Sequence, residues 1–476
     1  MGQLGELRRT SPLALLVGIA AASVGVIYGY DLSNIAGALL FLEDDFGLSA
    51  TEQEIVATAT VIGEVIGAAG GGWLANAIGR KKSMLLVAVA YAVFALLGAM
   101  SVSMTMLVVA RLLLGLTIGV SVVVVPVFVA ESAPAAVRGS LLVAYGVATV
   151  IGIIAGYLIG YLLAGTENWR WMLGLAAVPA VLVALLLLRI PDTARWYLLK
   201  GRIHEAHRAL RRVEPKVDAE QELAEISRAL QEEKEANVGV LREMLRPPYL
   251  RATVFVVTLG FLIQITGINA IVYYGPRLFE KMGFTGDFGL LILPALVQVA
   301  ALAAMLISLL LIDRVGRRPI LLAGIATMVA ANVILVGVFA AGSVFGDALA
   351  AFEFGGVLLF TVGYTFGFGA LIWVYAGESL PARLRSMGSS AMLTSDLVAN
   401  AIVVGVFLTM LTSLGGAATF AVFGVLAVIS FGFVYRYAPE TKGKQLEDIR
   451  HFWENGGNWG KWPQDVPETS AETVCR

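Results

Sequence analysis

The strongest constraint on this chain is a series of apolar runs that charged residues interrupt only at intervals. A helix crossing the ~30 Å hydrocarbon core of a bilayer needs about 20 apolar residues. Twelve runs pass that test, at 12–36, 53–76, 83–102, 106–131, 139–164, 170–190, 251–275, 288–312, 318–341, 352–379, 386–413 and 415–437. Stretches such as Leu85 to Met100 and Val178 to Leu188 are apolar at almost every position, unlike the alternating ~10-residue segments of a membrane barrel, so helices are expected. Composition agrees, with 58% hydrophobic and 14% charged residues against roughly 25% charged in soluble chains. A soluble multidomain enzyme and a disordered chain are both excluded. The first run continues through Gly29-Tyr30-Asp31 without a small-residue cleavage site, which is not the pattern of a cleaved signal peptide.

Charge narrows the function classes. The 34 basic and 35 acidic residues give a net charge of −1, which supplies no global basic field to recruit nucleic acid. The single cysteine, Cys475, removes internal disulfides, zinc clusters and thiol redox pairs. His204, His207 and His451 all lie in polar segments, and no metal-ligand or nucleophile constellation falls within the apolar runs. Neither an enzyme nor a bound cofactor is expected.

Lysine and arginine in short loops set orientation. With twelve spans, Arg80-Lys81-Lys82, Arg138, Arg189, Arg314, Arg317-Arg318, Arg383, Arg385 and Arg436 share one side with both termini. The other side carries Glu43-Asp44-Asp45, Glu167, Asp287 and Asp347, with Arg170, Arg277 and Lys281 as its basic residues. Both termini are therefore expected in the cytoplasm of a monomer embedded in a plasma membrane. The alanine- and valine-rich spans suit a bacterial inner membrane.

The chain is also duplicated. Asn76-x-x-Gly79-Arg80-Lys81 recurs as Asp313-x-x-Gly316-Arg317-Arg318, Glu131-x-x-Pro134-x-x-x-Arg138 as Glu378-x-x-Pro381-x-x-x-Arg385, and Pro191-Asp192-Thr193 as Pro439-Glu440-Thr441. Three motifs repeated in one order at nearly one offset imply two six-helix halves, an architecture of alternating-access transporters with a site at the midplane between the halves. The expected divisions are an N-terminal half over 1–190, a cytoplasmic linker over 191–250, a C-terminal half over 251–437 and a cytoplasmic tail over 438–476. Within the linker, Ala206, Leu210 and Val213, then Leu223, Ile226 and Leu230, recur at helical spacing among charges. They predict short amphipathic helices lying against the membrane-facing surface of the bundle. The tail reads as polar and loosely structured, with Trp453, Trp459 and Trp462 as contacts or interfacial anchors.

Further strings carry a resemblance: Arg111-x-x-x-Gly115-x-x-x-Gly119, Trp169-Arg170-Trp171-Met172, Pro191-Asp192-x-x-Arg195-Trp196, Thr266-Gly267-Ile268-Asn269 with Tyr273-Tyr274, and Pro439-Glu440-Thr441-Lys442-Gly443. Together and in order, from about Gly29 to Ile449, they resemble the sugar porter branch of the major facilitator superfamily, in particular its bacterial proton-coupled xylose and galactose symporters. The resemblance implies an all-helical fold of twelve spans in two pseudo-symmetric halves. It also implies symport of a sugar or polyol driven by the proton gradient, with facilitative uniport and proton-coupled antiport of another metabolite or drug as alternatives.

Asp31 and Arg111 stand out on physical grounds alone, because an unpaired carboxylate in mid-span costs several kcal/mol and an arginine cannot readily deprotonate. They are expected to pair. By resemblance they occupy the positions of the family's proton-coupling pair; a static ion pair fixing helix packing is the alternative. Glu64, in the second run, matches no family role and is read as a structural acid or a second proton site.

The resemblance also places a substrate site at Gln264, Asn269, Tyr273, Tyr274, Gly369, Trp373, Asp396 and Asn400, where amides and aromatic faces suit hydroxyls and apolar ring faces. Local unwinding at Gly267 would help the seventh-span side chains converge. Several positions depart from the family pattern. Ile263, Gly146 and Ala301 stand where amides are expected, Ala370 and Ile372 replace prolines, and Asp396-Leu397 replaces an amide and a tryptophan. An ordinary hexose would be poorly satisfied, so a larger, less hydroxylated or partly cationic relative of a sugar is expected, with Asp396 hydrogen-bonding it and Tyr28 and Tyr145 supplying lost contacts. Arg80, Glu131, Arg138, Asp313, Arg317, Glu378 and Arg385 resemble the family's cytoplasmic salt-bridge latch, in which Asn76 has lost the charge that Asp313 keeps.

Overall fold

A computed structural model describes residues 12–459 except 134, 214–217, 237–239, 248, 381, 445 and 458. Twelve helices among the described residues are long and apolar enough to cross a membrane. In chain order, spans 1 to 6 are Leu15–Phe46, Ala50–Ile78, Arg80–Ala99, Met104–Ser132, Val143–Ala164 and Trp169–Leu188. Spans 7 to 12 are Leu250–Tyr273, Phe288–Val315, Arg317–Gly342, Gly346–Ile372, Met387–Ser413 and Gly416–Tyr437. No strand occurs among the described residues, as expected where backbone polar groups have no water to turn to and must pair within their own segment.

Lipid tails are as apolar as leucine, so helices associate here by close packing of small residues. Spans 2 and 4 show this plainly. A Cβ at Gly63 or Gly67 would come 2.1 Å from the carbonyl oxygen of Leu112 or Leu116, and one at Gly115 or Gly119 would come 1.8 or 2.1 Å from that of Thr60 or Glu64. Spans 1 and 5 meet in the same way through Gly29 and Gly152. Spans 1 to 6 pack chiefly on one another and spans 7 to 12 likewise; spans 1, 2 and 5 meet 7, 11 and 8 across the middle.

The duplicated motifs build the same corner twice. Gly79 and Gly316 turn between spans at φ +107° and +112°, a conformation that a side chain would strain. The Asp192 carboxylate accepts from the backbone N–H groups of Arg80 and Lys81 at 3.1 and 3.2 Å. Glu440 accepts from those of Arg317 and Arg318 at 3.1 Å each. In each half a loop carboxylate thus satisfies orphan donors of a helix N-terminus. Burial pushes the Asp192 carboxyl above the usual range, opposed by the N–H groups of Thr193, Lys81 and Arg80.

Between spans 6 and 7 the chain forms helices Ala194–Leu199, Ile203–Val213, Ala219–Ala236 and Val240–Met244. Four of the six expected apolar positions are buried: Ala206, Leu210 and Leu223 form a small core with Ala194 and Ala219, and Val213 joins the core of the N-terminal spans, while Ile226 and Leu230 stay half-buried. The tail differs from its expected looseness where it is described. Helix Leu446–Glu454 buries Trp453, whose ring lies 5.3 Å from that of Phe255, and Trp459 packs on Phe452 at 4.8 Å. Aromatic burial outweighed the polar composition of the segment. Trp462 lies outside the described residues.

Candidate functional site

Spans 1 and 4 bring Asp31 and Arg111 into a two-pronged ion pair, with Arg111 donating from Nη1 to Oδ1 at 2.8 Å and from Nη2 to Oδ2 at 3.0 Å. The Tyr91 hydroxyl donates to the same Oδ1 at 3.2 Å. Both charged residues are 1% exposed. This fork geometry repays desolvation better than a point contact, and it is the pairing that the sequence demanded of two charges stranded in apolar runs.

Glu64 is brought beside this pair by span 2. It is 0% exposed, and neither carboxylate oxygen has a hydrogen-bond partner. It lies within electrostatic range of Asp31, Arg111 and Asp396, and of the hydroxyls of Tyr28, Tyr145 and Tyr273. Those neighbours come from spans 1, 4, 5, 7 and 11, so Glu64 belongs to the polar centre between the halves. The sequence signalled an acid in mid-span, but no local spacing identified partners that come from five other helices.

The C-terminal half supplies the facing wall. Span 7 ends its first helix at Ile265 and restarts at Ile268, with Gly267 left-handed between them at φ +101°, which is the break expected there. On either side of it, Gln264 donates to Asp396 Oδ2 at 3.4 Å, and Asn269 donates to Asn400 Oδ1 at 2.9 Å. Gln264 Oε1, Asp396 Oδ1, Asn400 Nδ2 and the Tyr273 hydroxyl are buried without partners. They form a cluster of unused donors and acceptors of the kind a hydroxylated ligand can satisfy.

Tyr274 is placed apart from this cluster. Its hydroxyl donates to the Val404 carbonyl at 2.7 Å and its ring stacks on Phe407 at 5.7 Å, so it packs span 7 onto span 11. Gly369 ends a π-helical turn, Thr365–Gly369, in span 10, a distortion frequent at functional sites. The side chain of Trp373 lies outside the described residues. Of the departures from the family pattern, Ile263 and Ala301 are each 1% exposed within the core. The space beside Gly146 is taken by Met305 of span 8, whose Cε would stand 2.8 Å from an added Cβ.

The motif residues form two separate sets at the ends of the spans. Arg80 donates to Glu131 at 2.9 Å, and Glu131 also accepts from Thr193 at 2.7 Å. In the second copy Arg317 pairs with Asp313 at 3.0 Å and Glu378 at 3.6 Å. No ion pair joins the two sets among the described residues. Arg385 Nε and Nη2 are buried without a hydrogen-bond partner, and the Arg138 side chain is outside the described residues.

At the opposite end the halves are tied together. Arg277, just beyond span 7, pairs with Glu43 of span 1 and donates to Gln53 Oε1 at 3.2 Å and to the Leu39 carbonyl at 2.9 Å. Glu54 accepts from the Thr409 backbone N–H at 2.7 Å and from its hydroxyl at 2.6 Å. The Tyr157 hydroxyl donates to the Val272 carbonyl at 2.6 Å. Sequence reasoning noted Arg277 only as a basic residue on the acidic side.

Comparisons with known proteins agree with this architecture. The chain is 34% identical over 443 residues to the galactose-proton symporter of Escherichia coli (strain K12), covering 93% of this chain and 95% of that protein. It is 34% identical over 449 residues to the arabinose-proton symporter of Bacillus subtilis (strain 168), covering 92% and 95%. Its fold matches a partially occluded inward open structure of the xylose transporter XylE from E. coli with a TM-score of 0.79, at 23% identity over 91% of this chain and 100% of that one. A family profile described as sugar (and other) transporter matches residues 17–453. The chain is thus a multi-pass membrane protein and belongs to the sugar (and other) transporter family.

Proposed function

We propose that the protein is a secondary active transporter that carries a sugar or sugar-like polyol together with protons by alternating access. The observation that carries this reading is the buried fork between Asp31 and Arg111, one side of a polar centre whose other wall is Gln264, Asn269, Asp396 and Asn400. Asp31 is the proton carrier and Arg111 its movable counter-ion. When the halves rock and the guanidinium stays in place, the carboxylate stays ionised; when the fork opens, an ionised carboxylate in the low-dielectric interior is costly and takes up a proton. Substrate bound by Gln264, Asn269, Tyr273, Asp396 and Asn400 stabilises the conformation in which the halves close on it, which is how one gradient drives the other.

Both termini and the basic face lie in the cytoplasm of a plasma membrane on this reading, following the lysine and arginine bias. The ties through Arg277 and Glu54 then close the outer end, and the site faces inward. Arg80, Glu131, Arg138, Asp313, Arg317, Glu378 and Arg385 are the cytoplasmic latch; Arg80 pairs with Glu131 and Arg317 with Asp313 and Glu378, each within its own half, which fits an open latch. The divisions at 1–190, 191–250, 251–437 and 438–476 assign the moving bodies, the linker and the tail. The protein works as a monomer without a cofactor and performs no covalent chemistry.

The test is uptake of labelled pentoses, hexoses and cyclitols into proteoliposomes under an imposed pH gradient, inside alkaline. Accumulation above the external concentration that a proton ionophore collapses is the expected result. Equilibration that ignores the gradient would make the protein a uniporter, and accumulation only with the gradient reversed an antiporter.

A further inference from the structure

The polar centre is acidic as well as polar, and this bears on what it holds. Asp31 and Arg111 cancel each other in their fork, leaving Glu64 from the N-terminal half and Asp396 from the C-terminal half as carboxyl groups without a counter-ion, which ionise when a cation is brought between them. Among the described residues, Arg111 is the cation within electrostatic range of Glu64, and both its Nη groups are already committed to Asp31. Among the described residues no ion pair forms with Asp396, whose hydrogen-bond partner is the neutral Gln264 amide. Both carboxylates are more than nine-tenths buried, and three of their four oxygens have no hydrogen-bond partner.

Two buried acids would alone say little. A second, independent feature surrounds them: the Tyr273 hydroxyl and the Asn400 amide nitrogen are fully buried and also unpartnered. The hydroxyls of Tyr28, Tyr145 and Tyr273 lie within electrostatic range of Glu64, and that of Tyr364 within range of Asp396. Paired carboxyl groups with neutral hydroxyl and amide partners around them are a combination that holds an ammonium group away from water, by charge and by hydrogen bonds.

We infer that this centre takes a sugar-sized polyol bearing an amine, with the ammonium group held between Glu64 and Asp396 and the hydroxyls served by Gln264, Asn269, Tyr273 and Asn400. The inference rests on the transporter reading above and names its substrate class. Because one acid comes from each half, the cation is a bridge that forms fully only when the halves close around it. An uncharged sugar cannot make that bridge.

The test is counterflow in proteoliposomes at about pH 7, where most of the amine is protonated, comparing D-glucosamine with D-glucose in the wild type and in Glu64→Gln, Asp396→Asn and Glu64→Asp. The wild type should half-saturate with glucosamine at a concentration about tenfold lower than with glucose. That preference should fall toward unity in Glu64→Gln and in Asp396→Asn and survive in Glu64→Asp, which keeps the charge. The ratio is taken within each preparation, so partial loss of folded protein does not affect it, and the wild-type ratio stands without any variant. Equal half-saturation in the wild type, or a preference that persists in both neutralised variants, would overturn the inference and leave sugar transport standing. Movement of neither compound, nor of any pentose or cyclitol, would overturn both.

Discussion

The two ends of the interface between the halves are built on different logic. At the basic end the charged residues come in duplicate, and each copy closes on itself: Arg80 on Glu131, and Arg317 on Asp313 and Glu378. At the acidic end nothing is duplicated. There Arg277 reaches from the second half to Glu43, Gln53 and the Leu39 carbonyl of the first, and Glu54 reaches back to Thr409. Duplicated motifs preserve the corner that each half needs for itself, whereas ties that select one conformation are single and asymmetric. A transporter needs both, because the halves must stay rigid while the contacts between them are made and broken.

The largest effect is predicted midway between the ends. Arg111→Leu leaves Asp31 buried without its counter-ion and should cost about 3–5 kcal/mol, read as a lowered melting temperature in detergent. A loss confined to one end of the molecule in hydrogen exchange would contradict a pair that fastens spans 1 and 4 at the centre. Next comes Arg277→Ala, which removes an ion pair and two hydrogen bonds joining the halves and should weaken the acidic end by about 2–3 kcal/mol. Spin labels at the exposed positions Thr166 and Asp347, one per half, should report a longer-distance population that grows severalfold. Labels that do not move would show that the acidic end is held by packing alone.

Thr409→Val keeps the backbone N–H on Glu54 and loses the hydroxyl, so the same labels should shift in the same direction by about 1 kcal/mol of population. The smallest change sharpens the basic end. Asn76→Asp restores the charge that Asp313 carries in the second copy and should add about 0.3–0.5 kcal/mol through an i,i+4 pair with Arg80, with no change in label distances. A distance change there would mean that this motif already bridges the halves.

Much of this was legible because it follows from single segments. Hydrocarbon thickness dictates twelve spans, charge in mid-span dictates that Asp31 and Arg111 meet, and the repeated Gly-Arg strings announce two halves. Gly267 was legible as a break because only glycine readily takes its left-handed turn. What escaped depends on which helices become neighbours. Glu64 reads as an isolated acid until spans 1, 4, 5, 7 and 11 surround it. Arg277 is one basic residue on an acidic side until Glu43 and Gln53 meet it across the interface. Tyr274 follows Tyr273 in sequence and shares its chemistry, yet successive helical positions point about 100° apart, so one faces the centre and the other packs on Phe407. The tail helix was missed because its burial depends on Phe255, an aromatic partner some two hundred positions away.

The central claim is that Asp31 couples proton movement to substrate movement. It is tested most directly by comparing pH-gradient-driven accumulation with counterflow in proteoliposomes for the wild type and Asp31→Asn, using whichever solute the wild type accumulates most. Asp31→Asn is expected to abolish accumulation above the external concentration while counterflow of the same solute persists, because exchange needs the halves to rock but needs no net proton movement. Accumulation retained by Asp31→Asn would contradict the account and leave the fork with Arg111 as a fixed element of packing.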